Sequence, residues 1–184
     1  MSTKREELQT VASEAVRSSG LHSLSFRTLA HAAGIKSSSV HYYFPEKSDL
    51  ASALIDQYIQ EFRHRLEAID ADAGDPKNRF LRFAGIFEEA LENDRLCLCG
   101  MLAAESSDLN DENKAKLTDF FNLAEDWLVG VFKDHSGSHN NEIDAIKLAR
   151  TAIAGLQGAI LIDRPNRERR SIEALKTTVL GLLH

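Results

Sequence analysis

Apolar positions recur at three- and four-residue spacing along the whole chain, the period of helices with one buried stripe. Leu8, Val11, Ala12, Ala15 and Val16 form the first stripe, and Gly20 follows as a stop. Ser25 is placed to cap a short helix over 26–33, with Leu29, Ala30 and Ala33 on one face. Gly34 ends it and supplies a left-handed turn. A second short helix runs to Phe44, capped by Ser37 or Ser38 and stopped by Pro45. Three short helices with a glycine turn before the third have the grammar of a helix-turn-helix.

From Lys47 a longer stripe begins with Leu50, Leu54, Tyr58, Ile59, Phe62, Leu66 and Ile69. The segment 70–75, ahead of Pro76, breaks it. Phe80, Phe83, Ala84, Phe87 and Leu91 mark the next helix, and 96–104 is a short apolar piece before a polar linker over 105–111. Leu117, Phe120, Phe121, Ala124, Leu128 and Phe132 mark another long helix, followed by a Gly/Ser-rich loop over 133–141. The stretch 142–162 is small and apolar, Arg164-Pro-Asn-Arg-Glu-Arg-Arg170 interrupts, and 171–183 is the last helix. No strand alternation competes. The pattern predicts an all-α protein of about nine helices, three of them in an N-terminal head and the rest in a helical body.

Composition sharpens this picture little. The 184 residues are 43% hydrophobic and 27% charged, with 3 Pro and 10 Gly, as in a globular chain able to bury a core. No apolar run is expected to reach membrane-span length, and the first residues lack the apolar stretch of a signal peptide. With two cysteines, the chain reads as a reduced, cytoplasmic protein without membrane contact. Net charge is −6, which argues against a nucleic-acid partner until its distribution is considered. Residues 1–50 carry six Lys/Arg against five Asp/Glu, leaving −7 for the remainder. A near-neutral head binds phosphate when its basic residues share one face.

The densest chemistry lies in Ser25-Phe-Arg-Thr-Leu-Ala-His-Ala-Ala-Gly-Ile-Lys-Ser-Ser-Ser-Val-His-Tyr-Tyr-Phe-Pro-Glu-Lys-Ser-Asp-Leu50. Ala30, Gly34, Ile35, Val40 and Phe44 are expected to hold two short helices together. Between them Ser37, Ser38, Ser39, His41, Tyr42 and Tyr43 are offered outward, small hydroxyls for close approach to base edges and Tyr, His and Lys for phosphate. The series Ala30-x3-Gly34-Ile35, then Val40-His-Tyr-Tyr-Phe44-Pro-x-Lys47-x2-Leu50, resembles the DNA-binding head of the TetR (tetracycline-repressor-like) family of transcriptional regulators. Two positions depart from that pattern: Lys36 stands where a capping Ser is common, and His41 where Tyr is common.

The resemblance implies a symmetric dimer that sets two recognition helices in successive major grooves of a palindromic operator. It assigns residues 1–47 to DNA and 48–184 to effector binding and dimerisation. Phosphate contact falls to Arg27, Tyr43 and Lys47, and base or groove contact to Ser37, Ser38, Ser39 and Tyr42, with Lys36 and His41 beside them. It also implies a homodimer through the last two helices. There Ala149 and Ala152 keep one helix slim, while Ile153, Leu156, Ile160, Leu175, Val179 and Leu183 add apolar area. It places an effector pocket among the middle helices, where Phe62, Leu66, Phe83, Phe87, Met101, Phe120, Phe121 and Trp127 suggest a small apolar or aromatic ligand.

Other features carry less. Cys97 and Cys99 suggest a thiol or electrophile sensor as an alternative trigger, although residues two apart on a helix point away from each other. His135 and His139 have a ligand spacing but no third ligand in sequence, so no metal and no cofactor are expected. Arg164, Arg167, Arg169 and Arg170 read as a solvated loop. A helical adaptor and a small helical enzyme are the readings from other classes. The enzyme reading is disfavoured because the chain has no Gly-rich phosphate loop and no nucleophile elbow.

Overall fold

In the computed structural model, residues 3–72, 74–135 and 142–183 are described, with the side chains at 134, 135, 142 and 143 set aside. Among them lie nine α-helices and no strand: α1 (Lys4–Ser19), α2 (Phe26–Ala32), α3 (Ser37–Tyr43), α4 (Lys47–Ala71), α5 (Pro76–Glu92), α6 (Leu98–Ala104), α7 (Asp111–His135), α8 (Glu142–Asp163) and α9 (Arg170–Leu182). Local chemistry explains most boundaries. Thr3 and Ser25 close capping boxes on α1 and α2, and Asp75 caps α5 with Pro76 at its first position. Gly20 and Gly34 follow α1 and α2 with φ of 84° and 64°, the left-handed region that side chains resist. Nothing crowds Gly34, so its conformation alone explains the glycine there.

The chain divides into two compact units, Met1–Glu61 with Cys97–Asp119, and Phe62–Leu96 with Phe120–His184. In the first, Leu8, Ala12 and Val16 of α1 share a core with Leu29, Val40, Leu50, Leu54, Leu98 and Leu102. Two buried amides cross-link it: Gln9 donates to the Ala53 carbonyl at 3.2 Å and Asn113 to that of Ser48 at 3.0 Å. Sequence separations of 44 and 65 residues keep both out of reach of local reading.

In the second unit α5, α8 and α9 pack together. Gly155 sits against Leu175, whose side chain fills the space a Cβ would need, at 2.6 Å from its ideal position. Asp163, 3% exposed at the end of α8, accepts from the Ser171 and Ile172 amides at 2.9 and 3.1 Å and so caps α9 from outside. Burial pushes its carboxyl up, but the hydrogen bonds from Ser171 and Ile172 outweigh that and hold it below the ordinary carboxylate range.

One expectation needs correction here and another gains detail. The stretch 144–166 is, by length and composition alone, long and apolar enough to cross a membrane, a test that a core helix also meets. Of the arginines after α8, Arg167, Arg169 and Arg170 are exposed and Arg164 is half-buried, and each stands near a carboxylate. Arg164 binds Asp94 at 3.0 Å, Arg169 pairs with Glu92 and Arg170 with Glu168 at 2.7 Å. Asp94 and Arg167, both at positive φ, face each other at 3.9 Å in the same cluster.

Candidate nucleic-acid interface

The head's geometry starts with the turn between α2 and α3. The Ile35 amide donates to the Ala30 carbonyl at 3.0 Å and that of Gly34 to the His31 carbonyl at 3.2 Å, which closes the end of α2 within the four-residue turn. α3 then buries Val40 and little else. Its seven residues split by helical spacing into Ser38 and Tyr42, which face solvent, and Ser39 and Tyr43, which are half-buried. Tyr42 is 81% exposed and its ring meets that of Tyr43 edge-on at 5.1 Å. A large aromatic side chain left this bare in a well-packed unit has the form of a contact residue.

The flanking groups are fixed to different degrees. His41 is exposed, yet its ring lies edge-to-face with Phe26 at 4.8 Å and its Nδ1 is 3.4 Å from the Pro45 carbonyl oxygen. Arg27 and Lys36 are exposed, Ser37 is half-buried, and Lys47 donates to the His22 carbonyl at 3.4 Å. Neither expected serine caps α3. Lys36 occupies the N-cap without a side-chain hydrogen bond, since helix geometry begins at Ser37 itself. The first-turn amides of α3 therefore lack a side-chain cap.

One anchor of the head had no local signal. Glu105, just after α6, accepts from the Leu21 amide at 2.7 Å and the His22 amide at 3.1 Å. Gly20 has a second reason to be glycine, because a Cβ there would collide with the Glu105 carboxylate. Asp108 adds a contact to His22 Nδ1 at 3.3 Å. Eighty-odd residues separate these partners in sequence.

The other expected sites fare differently. Phe62, Leu66, Phe83, Phe87 and Phe120 are buried, and the rings pack on one another: Phe62 to Phe120 at 5.0 Å, Phe83 to Phe87 at 5.7 Å, Phe83 stacked on Trp127 at 5.4 Å. Phe121 and Trp127 are half-buried in the same unit, whereas Met101 lies on α6 in the other. The expected dimer residues Ala149, Ala152, Ile153, Leu156, Ile160, Val179 and Leu183 are already buried inside one chain, and Leu175 packs on Gly155. Side chains with so little exposed surface have almost none to give a partner. What α8 and α9 show outward is Leu161, Ile162 and Leu182, at 56%, 68% and 62% exposure, with open space over Gly158 and Gly181.

Cys97 and Cys99 are free thiols and both buried. The Tyr58 hydroxyl, whose pKa burial raises, donates to Cys97 Sγ at 3.5 Å, and burial likewise pushes the Cys99 thiol up. A buried, protonated Cys99 is a poor nucleophile. His139 and the imidazole of His135 lie outside the described residues. Among the described residues no three His, Cys, Asp or Glu side chains gather as a metal site.

This is a helix-turn-helix head on an all-helical body, and the comparisons agree. The family model described as bacterial regulatory proteins, tetR family, matches residues 10–54, which span α2, α3 and most of α1. A TetR transcriptional regulator from Legionella pneumophila superposes with a TM-score of 0.93 at 24% identity, covering 100% of this chain and 99% of its own. A TetR-family transcriptional regulator from Agrobacterium tumefaciens reaches 0.86 at 24% identity over 97% and 96%. The reduced form of NemR from E. coli reaches 0.83 at 19% identity over 96% and 94%. No curated protein matches by sequence. Residues 10–54 thus match the tetR-family model, and the whole chain shares the fold of these solved regulators.

Proposed function

We propose that the protein is a cytoplasmic, homodimeric, ligand-responsive repressor that reads a palindromic operator through α3. Residues 1–47 serve DNA, and 48–184 serve effector binding and dimerisation. The observation that carries this reading is the outward face of α3, where Tyr42 and Ser38 stand exposed, with Arg27 and Lys36 exposed in the same helix-turn-helix. Ser37, Ser38, Ser39 and Tyr42 meet base edges, Arg27, Tyr43 and Lys47 meet phosphate, and Lys36 and His41 flank them. The uncapped first turn of α3 supports close approach to a phosphate oxygen. Dimerisation runs over the outward face of α8 and α9, where Leu161, Ile162 and Leu182 border the bare glycines 158 and 181. Half-sites then fall about 34–36 Å apart, one turn of DNA, or a multiple of it.

Selection from a random DNA pool tests the reading. A twofold-symmetric winner is expected, with an affinity that falls steeply with salt as phosphate contacts release counterions. Tyr42→Ala should cost about tenfold or more on that winner and relax base preference at one position in each half-site. Enrichment of no sequence by a folded protein would sink the proposal. Leu161→Glu with Leu182→Glu should yield monomers in sedimentation, and an intact dimer would move the seam elsewhere.

A further inference from the structure

The turn that joins α1 to α2 is held from both of its backbone edges. Within it, the Leu24 amide donates to the Leu21 carbonyl at 3.1 Å and the Ser23 hydroxyl to the Gly20 carbonyl at 3.0 Å. The amides of Leu21 and His22 both donate to one oxygen, Glu105 Oε2, at 2.7 and 3.1 Å. Glu105 follows α6 and belongs to the same compact unit as the turn. The seat is shaped to this carboxylate, since Gly20 is buried at a φ of 84° and a Cβ on it would collide with Glu105 Oε1. On the carbonyl edge, His22 accepts from Lys47 Nζ at 3.4 Å. One residue, His22, is thus tied by its amide to Glu105 and by its carbonyl to Lys47. Lys47 opens α4, and with His22 and Asp108 it lines a hollow of about 50 Å³.

We infer that Glu105 is a positioning residue for DNA binding: it fixes the 20–22 turn and, through the His22 carbonyl, sets Lys47 to meet a backbone phosphate. This rests on the reading of Lys47 as a phosphate contact. An ammonium has three donors, so one spent on the His22 carbonyl leaves two for phosphate oxygens. A flexible four-carbon stem held in place loses less freedom when DNA arrives. The inference puts a residue far outside the segment 1–47 in control of a contact made within it. It also predicts a sign opposite to that of simple charge. DNA is a polyanion, so deleting a carboxylate should tighten binding by electrostatics alone. Deleting this one should weaken it.

Binding to a mixed-sequence DNA duplex of about three helical turns, followed across salt, reads phosphate contacts without a known operator. Glu105→Ala should weaken binding about tenfold and lower the salt slope by about one per protomer, as Lys47→Ala does. Glu105→Gln still offers one oxygen to both amides and should stay within about twofold of wild type. In a Lys47→Ala background, Glu105→Ala should change affinity by less than about twofold, because the two residues act in series. If Glu105→Ala fails to fold, Glu105→Asp serves: it keeps the charge, draws the oxygens back by one methylene and should show the same loss. Without DNA, exchange of the Leu21 and His22 amides should be about tenfold faster in Glu105→Ala and unchanged in Glu105→Gln. Binding that holds or tightens in Glu105→Ala, losses that add to those of Lys47→Ala, or unchanged amide exchange would overturn the inference. A salt slope untouched by Lys47→Ala would overturn it through the phosphate reading itself. That failure shows in the Lys47 variant alone, and amide exchange still reports the Glu105 bonds.

Discussion

Helices α3 and α8 meet opposite demands. α3 is seven residues long, lacks a side-chain cap and buries one side chain, Val40. α8 is 22 residues long, apolar on nearly every side, and puts Ala149, Ala152, Leu156 and Ile160 into the core. α3 holds its shape because Gly34, Phe44 and the α2 packing fix its ends, which frees its surface for a polar partner. α8 supplies much of its unit's core and still leaves Leu161 and Ile162 bare. Exposure thus means different things on the two helices: hydroxyls and a phenol on one, aliphatic carbon on the other.

If that contrast is right, substitutions on the two helices should separate folding from recognition. Leu156→Ala removes a fully buried side chain and should cost about 2–5 kcal/mol in denaturant unfolding, the usual range for a core Leu. A loss under 1 kcal/mol would mean α8 is not a core helix. Asp163→Asn should cost about 1–3 kcal/mol, because charge-assisted bonds to the Ser171 and Ile172 amides weaken. Its pH signature is specific. A carboxyl held below its unfolded value, about 3.9 for Asp, stabilises the native state above that pH and loses the contribution as pH falls through the folded value. Wild type should therefore lose stability below about pH 4 more steeply than Asp163→Asn, and parallel acid curves would contradict the assignment. Tyr42→Ala should fall at the bottom of the scale, within about 0.5 kcal/mol of wild type in the same unfolding experiment. A large loss there would make Tyr42 a structural residue.

What could be read without the structure follows the range of the interactions. Caps and stops act over three or four residues, so Ser25, Gly34, Pro45 and the break ahead of Pro76 all marked true boundaries. The α3 motif was likewise legible, because its anchors and displayed residues share one short window. The faces of α8 were not. With apolar side chains on both sides, periodicity has no polar phase to show which stripe turns inward. The Phe cluster is ambiguous for a related reason, since rings spaced along helices look alike whether they line a pocket or fill a core. Glu105, Gln9 and Asn113 act across tens of residues, and no local pattern announces them.

Trp127 is the only tryptophan of the chain. It stacks on Phe83, donates to Asp70 at 3.0 Å and lies under the Arg79 guanidinium at 5.3 Å. All of these groups belong to the second unit, while the tyrosines 42, 43 and 58 belong to the first. The molecule thus carries a built-in optical label on one side of its division of labour. Selective excitation of the indole watches the body, and an event that starts in the head becomes visible in this emission only if it is transmitted.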